Sequence, residues 1–289
     1  MQIKESELIL NPDGSVYHLN LRPEHIAKDI IFVGDQDRVE RITKHFDTIE
    51  FTIQKREFKT QTGTYKGKRI SVISTGIGPD NIDIVLNELD ALVNINLETR
   101  QVKKELTSLN IVRVGTSGSL QKDIPVDAFV LSSHGLDMNG MLHSYKLDNI
   151  TNSEIEDAFI SYTNWSSEKA RPLIISNSKK LADLLDSTEI YKGITATAGG
   201  FYGAQGRVLR LALQDSELNN KLDTFNYKEF RISNLEMETS AIYGLAKLLG
   251  HQALSMNAII ANRATGEFSK DPKAVVNKLI TYTLDKLAE

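Results

Sequence analysis

Several short blocks of this sequence set arginines, glycines and hydroxyls side by side, the combination that gathers an anion. In Val112-Arg113-Val114-Gly115-Thr116-Ser117-Gly118-Ser119 an arginine sits inside an apolar run, just ahead of a Gly/Thr/Ser/Gly turn. A buried arginine needs an anionic partner, and hydroxyls and free N–H groups follow it at once. The segment reads either as a phosphate cradle or as a structural Arg–Asp pair. It lacks the Gly-Lys-Ser/Thr of a P-loop, which argues against nucleoside triphosphate chemistry. Gly34-Asp35-Gln36-Asp37-Arg38 places a second arginine where a strand hands over to a helix, with backbone N–H groups able to hold an anion. Its other reading is an ordinary helix N-terminus, capped by Asp37, with Arg38 in solvent. Ser74-Thr75-Gly76-Ile77-Gly78 lets a backbone approach a ligand closely, as many turns do.

Other blocks suit an organic ligand. Gly199-Gly200-Phe201-Tyr202-Gly203-Ala204-Gln205-Gly206-Arg207 joins an aromatic pair, a glutamine and an arginine in one glycine-rich loop. A flat heterocycle can stack on Phe201 and bond Gln205 and Arg207. A glutamine offers both a donor and an acceptor, which suits an imide edge. The alternative is a surface loop whose aromatics close the core. In Glu236-Met237-Glu238-Thr239-Ser240 two carboxylates open a helix. They are either dipole-favoured first-turn acids or, if one faces a cleft, a bidentate acceptor for a sugar diol. Asn262-Arg263-Ala264-Thr265-Gly266-Glu267 puts another arginine at a strand end, followed by a loop that reads as mobile, with 265–270 as a candidate lid.

These residues need a scaffold. Asp29–Val33, Phe51–Tyr65, Lys68–Thr75, Leu109–Val114, Ala128–Ser132, Ile190–Ala198 and Ala253–Ala261 read as strands, rich in apolar and β-branched residues. Pro79–Ile95 carries Ile82, Val85, Leu86, Leu89, Leu92 and Val93 on one helical face. Glu236–Leu249 reads as a helix ending at Gly250; Asp271-Pro272 opens a last one. Alternating strands and helices predict a single α/β domain over residues 1–289. A central mixed, twisted β-sheet is flanked by helices in three layers, and residues 1–15 form an N-terminal extension. Ligands in such folds sit beyond the carboxyl ends of strands, where the arginine blocks fall. The chain is 40% hydrophobic and 25% charged with a net charge of −4, and acids and bases are interleaved. That argues against a nucleic-acid partner, which demands a basic stripe. With no cysteine, disulfides, thiolate nucleophiles and Cys-based zinc sites are excluded. No run approaches the ~20 apolar residues of a membrane span, and the first residues do not resemble a signal peptide. A cytoplasmic protein with no membrane partner is expected.

Taken in order, these blocks together with Val16-Tyr17-His18-Leu19, Lys55-Arg56-Glu57-Phe58 and Asn234-Leu235-Glu236-Met237-Glu238 resemble the nucleoside phosphorylase-I family, nearest to its uridine phosphorylases. The resemblance runs from about Val16 to the C-terminus. It implies a nucleoside phosphorylase/hydrolase-like fold and phosphorolysis of a pyrimidine nucleoside, uridine plus phosphate giving uracil and ribose 1-phosphate. Gly34, Arg38, Arg113 and Thr116 would bind phosphate. Arg56, from a neighbouring subunit, would reach the same phosphate, and that neighbour's His18 the ribose 5′-hydroxyl. Thr116, Met237 and Glu238 would hold the ribose, Glu238 at its 2′- and 3′-hydroxyls. Phe201 would stack near the base, Gln205 and Arg207 would read the uracil edge, and Arg263 would support that pair. Arg113, Gln205, Arg207 and Glu238 are thus the catalytic set.

The resemblance further implies a homo-oligomer, a dimer or a hexamer built as a trimer of dimers, with the active site shared between subunits. Inorganic phosphate is the co-substrate and no cofactor or catalytic metal is required; Glu57 and Ser74 match a monovalent cation site. Purine-cleaving relatives carry a Ser-Asp pair where this chain has Asn262-Arg263, and their base loop lacks the Gln-x-Arg of Gln205–Arg207. Both differences favour uracil and leave uridine, deoxyuridine and thymidine open. The chain departs from the family at Gln36, where a proline is usual, and residues 136–170 match no family block. The alternatives are a purine or broad-specificity phosphorylase, a nucleosidase on the same fold, and a non-catalytic nucleoside-binding protein.

Overall fold

The computed structural model describes residues 2–147 and 149–289. The chain begins with β1 (Asp29–Val33), α1 (Gln36–Thr43), β2 (Thr48–Lys55), β3 (Phe58–Tyr65), β4 (Lys68–Ser74) and α2 (Pro79–Asn94). It continues through β5 (Ile95–Asn96), β6 (Gln101–Val102), β7 (Asn110–Ser119), β8 (Phe129–Asp137), α3 (Ser153–Thr163), β9 (Leu173–Ser176), α4 (Lys179–Leu185) and β10 (Tyr191–Thr197). The last part holds α5 (Leu218–Thr224), β11 (Asn226–Tyr227), β12 (Phe230–Glu236), α6 (Thr239–Leu249), β13 (Gln252–Asn262), β14 (Glu267–Phe268) and α7 (Pro272–Ala288).

Strand alternation explains the layers. Along β1, Ile30 and Phe32 face a core shared with α2 and α6, while Ile31 and Val33 face a second core shared with α1, α4 and α7. A third core joins β8, β10 and β12 to α3 and α5. The sheet is mixed: β1 runs parallel to β4 and β7, while β2, β3 and β4 form an antiparallel meander. At its other end it closes on itself. β7 pairs β13, β13 pairs β8, β8 pairs β10, β10 pairs β12, and β12 returns to β7. The expected mixed sheet is therefore also a small barrel, and closure leaves these strands no free edge.

Several expected boundaries move. The Phe51–Tyr65 run is two strands, β2 and β3, joined by a tight turn at Arg56-Glu57 with Arg56 at φ 55°. The segment Gly115–Gly118, read as a turn, continues β7, which runs on to Ser119. Glu236 closes a strand, β12, that the sequence reading missed, so the following helix starts at Thr239 rather than Glu236. Asp35, not Asp37, caps α1, accepting the Arg38 N–H. Gly250 and Asp271 end and open their helices as expected, Gly250 at φ 80° and Asp271 accepting from Ala274. The N-terminal segment lies on the body: Leu10 bridges Val16, and Ile3 donates to the Arg100 carbonyl. Among the described residues no helix is long and apolar enough to cross a membrane.

Candidate active site

The carboxyl ends of β1, β7 and β12 open onto a cleft of ≈ 310 Å³. Gly34, Arg38, Arg113 and Thr116 line one part of it, Met237 and Glu238 another, and Phe201, Gln205 and Arg207 a third. The sequence blocks, spread over some two hundred residues, thus share one cavity.

Arg38 projects from the first turn of α1, held by Asp35 at 2.9 Å and donating to the Val114 carbonyl at 3.2 Å. Its Nε is buried without a partner. Burial pulls this guanidinium below its ordinary pKa, against the pull of Asp35. Arg113 is buried and donates to Asn257 Oδ1 (3.0 Å) and Glu238 Oε2 (2.5 Å), with Glu236 Oε2 at 3.3 Å. Its partners are glutamates, not the aspartate that the alternative reading named. Burial works against its charge, but the two carboxylates outweigh it and hold Arg113 above the ordinary value. Gly115 makes room for this arrangement, since a Cβ there would lie 1.7 Å from Arg113 Nη1.

The two carboxylates differ in role. Glu236 accepts from the N–H groups of Glu238 and Thr239 and from the Thr197 hydroxyl at 2.8 Å. It thereby caps α6 from the preceding strand. Burial raises its pKa, opposed by Arg113. Glu238 accepts from Gly78 N–H (2.9 Å) and from Arg113, and lines the cleft. Neither is a solvated first-turn acid.

At the third part, Gln205 is only 2% exposed. Its side-chain oxygen accepts from Arg207 (2.6 Å) and Arg263 (2.9 Å), and Arg263 also donates to its backbone carbonyl (2.7 Å). Arginine only donates, so these contacts fix the amide orientation and turn the Gln205 NH2 away from them. Arg207 stacks over Phe201, 3.9 Å from the ring centre, a favourable cation–π geometry. Burial and then the charge of Arg207 pull Arg263 down to about 10. Arg263 itself backs the pocket rather than lining it.

His18 and Arg56 do not line this cleft. His18 Nδ1 lies 2.6 Å from Glu88 Oε1. Arg56 stands exposed at its hairpin tip, 5.8 Å from the centre of the Tyr17 ring. A left-handed, non-glycine residue at a turn is strained and marks a constrained position. Gln36, at the position where a proline is usual in the family, donates to the Arg56 carbonyl at 2.5 Å and accepts from Gln54, tying this hairpin to the loop that carries Gly34 and Arg38. Ser74 donates to the Glu57 carbonyl at 2.7 Å. The segment after Arg263 pairs back on β13 as β14, and its exposed Phe268 lines the cleft. Ile77, Ser117, Leu235 and Phe268 were not singled out from the sequence. Ser117 lay inside a quoted block, but nothing in its spacing separated it from Thr116.

The family model described as "Phosphorylase superfamily" matches residues 28–285. A uridine phosphorylase of Thermococcus kodakarensis is 29% identical over 258 residues, 89% of this chain and 81% of that protein. A DeoD-type purine nucleoside phosphorylase of Listeria monocytogenes is 27% identical over 273 residues, 93% of this chain and 97% of that protein. Among solved structures, a Trypanosoma brucei nucleoside phosphorylase described as showing uridine phosphorylase activity superposes with a TM-score of 0.87 at 28% identity. The match covers 97% of this chain and 99% of that one.

Proposed function

The chain belongs to the phosphorylase superfamily, and we propose that it cleaves uridine with inorganic phosphate to give uracil and ribose 1-phosphate. The observation that carries the pyrimidine half is the state of Arg263, which donates to Gln205 Oε1 at 2.9 Å and to the Gln205 carbonyl at 2.7 Å. As the second residue of the Asn262-Arg263 pair it stands where purine relatives carry the aspartate of their Ser-Asp pair, and the preceding Asn262 is 1% exposed with all its polar atoms spent. The Asn262 NH2 donates to the Gln121 and Ile124 carbonyls and its oxygen accepts from Ala264 and Thr265, each at 2.9–3.0 Å. Asn262 thus has no free atom for a purine ring, and Arg263 has no carboxylic acid to protonate one. Gln205 and Arg207 remain as the polar reading edge.

In this reading phosphate lies against Arg38, Arg113, Thr116 and the backbone of Gly34, whose guanidinium forks match its oxygens. Met237 and Glu238 hold the ribose below the base. The bond between C1′ and the base breaks, its electron pair leaves with uracil, and a phosphate oxygen forms the new bond to C1′. Negative charge gathers on the departing uracil, where Gln205 and Arg207 stand as preorganised donors. Phosphate stabilises the positive charge on the sugar and then captures it, so no side chain becomes covalently attached. Orienting two substrates in one cleft supplies much of the remainder. The same reading takes the active unit to be a cytoplasmic homo-oligomer, in which Arg56 and His18 complete a neighbour's cleft and Glu57 and Ser74 border a monovalent cation. Both side chains stand outside their own chain's cleft, and that supports the shared site.

The test is a screen of uridine, deoxyuridine, thymidine, inosine and adenosine, each with and without phosphate. Phosphate-dependent uracil release from uridine is expected. Release at an undiminished rate without phosphate makes the chain a nucleosidase, and preference for inosine or adenosine overturns the pyrimidine assignment.

A further inference from the structure

The closed end of the sheet contains an unbroken circuit of buried polar side chains. Arg113 on β7 donates to Asn257 Oδ1 on β13 at 3.0 Å. Asn257 Nδ2 reaches Ser132 Oγ on β8 at 3.3 Å, and Ser132 Oγ lies 2.5 Å from Thr195 Oγ1 on β10. Thr195 donates to Asn234 Oδ1 on β12 at 2.8 Å, and Asn234 Nδ2 donates to Ser117 Oγ, back on β7, at 2.8 Å. Ser132, Thr195, Asn234 and Asn257 are 0% exposed and Ser117 is 5% exposed. One bond crosses each of the strand pairs that close the barrel.

Arg113 sets the sense at one end, and Ser233 Oγ, which donates to Asn234 Oδ1 at 2.7 Å, sets the same sense at the other. A guanidinium cannot accept, so the Asn257 carbonyl must face it and the Asn257 NH2 must face Ser132. Ser132 accepts there and passes its own hydrogen to Thr195. Thr195 passes its hydrogen to the Asn234 carbonyl, which leaves the Asn234 NH2 for Ser117. Ser117 is an acceptor within the circuit, so its hydroxyl hydrogen is left over, and Ser117 lines the cleft. The same cleft holds the base-reading side chains Phe201, Gln205 and Arg207. Aligned bonds in a low-dielectric interior polarise one another, and this series starts from a full charge.

We infer that the circuit makes Ser117 a fixed hydrogen-bond donor to an acceptor oxygen of the nucleobase, with Asn257, Ser132, Thr195 and Asn234 as positioning residues for it. The same residues anchor Arg113 at the phosphate end, so both ends of the cleft share one support. This deepens the uridine reading and rests on it. As the base leaves, its oxygens gain negative charge, and a donor already aimed at one of them stabilises that charge without reorganising.

The decisive residue is Thr195, which touches no ligand. Thr195→Val keeps its shape and removes the hydroxyl; Thr195→Ser keeps the hydroxyl. With uridine and phosphate, Thr195→Val is expected to lower kcat/KM for uridine about tenfold. Thr195→Ser is expected to stay within about twofold of the unchanged protein. Ser117→Ala should reproduce the loss, and adding Thr195→Val to it should change the uridine parameters little further. A folded Thr195→Val with unchanged kcat/KM overturns the inference, as does a Thr195→Ser variant that fails to rescue, or full additivity with Ser117→Ala. A protein that binds uridine without cleaving it overturns the phosphorylase reading alone, and the same variants are then compared by uridine Kd. A protein that neither cleaves nor binds uridine overturns both.

Discussion

Arg113 carries the sharpest consequence at the scale of a single residue. Its guanidinium serves the cleft and also neutralises Glu236 and Glu238 in the interior. Replacing it by alanine leaves two buried carboxylates without their cation, a change that costs about 3–5 kcal/mol. Loss of phosphate use in Arg113→Ala would therefore be mixed with loss of fold. Arg113→Lys keeps the charge but not the planar fork. It is expected to raise the KM for phosphate about tenfold or more while lowering Tm less than Arg113→Ala does. Gly115→Ala reaches the same group from the other side, because the new Cβ would meet Nη1 at 1.7 Å and the guanidinium must move. It too should raise the KM for phosphate with a smaller effect on the KM for uridine. Phosphate saturation unchanged in both variants, read by initial rates, would remove Arg113 from the phosphate site.

At the scale of the element, a histidine packed between β8 and α6 predicts an acid-sensitive fold. His134 on β8 packs edge-on against Phe230, 5.2 Å between ring centres, with its Nδ1 3.2 Å from Ser133 Oγ. Burial, and then the charge of Lys247 on α6, push it down to about 4. Glu154 of α3 borders the same cavity but is held by Lys228 and Tyr227. The unfolded chain protonates this histidine near pH 6.5 and the folded chain only near 4. Between those values the unfolded state binds the extra proton, so its contribution to stability is full above about pH 6.5 and is lost as the pH falls toward 4. From pH 7 to pH 5 the loss is about 1–2 kcal/mol, reduced by the partial solvation of the ring. Urea unfolding at the two pH values should show a steeper loss in the unchanged protein than in His134→Gln; parallel losses would mean that His134 does not titrate between them. Elements of this kind were legible in the sequence wherever apolar period was intact, as in β1, α2 and α7. β12 was missed because the barrel interior is polar, and Arg231, Ser233 and Asn234 break the apolar run. The Arg56 turn was missed because the left-handed residue is an arginine where glycine or asparagine is the usual signal. Gly115–Gly118 looked like a turn since its small residues signal one, whereas here Gly115 leaves room inside β7 for the Arg113 guanidinium. The partners of Arg113 lie well over a hundred positions away in the chain, and no local spacing announces them.

At the scale of the whole molecule, the proposed shared site makes a prediction about assembly. Glu238 lies inside its own chain's cleft, whereas Arg56 stands outside it on the hairpin that Gln36 ties to the loop carrying Gly34 and Arg38. If Arg56 serves a neighbour, the two residues of any one working cleft come from different chains. Arg56→Ala and Glu238→Gln should then each cripple a homo-oligomer, because every cleft lacks one of them. In a hybrid pair the outcome is asymmetric. The cleft of the Arg56→Ala chain keeps its own Glu238 and receives Arg56 from the Glu238→Gln chain, so it is complete. The other cleft lacks both. Random pairing of equal amounts makes about half the pairs hybrid with one good cleft each, so about a quarter of the unchanged activity should return when the two proteins are co-expressed or allowed to exchange subunits. The same fraction holds for a trimer of such dimers, because completeness depends only on the pair. Activity that stays at the mean of the two parents after exchange is verified by mass would confine the site to one chain and leave Arg56 without a catalytic role. Recovery near a quarter would fix the dimer as the smallest working unit and make the strained hairpin at Arg56 the place where one subunit completes the next.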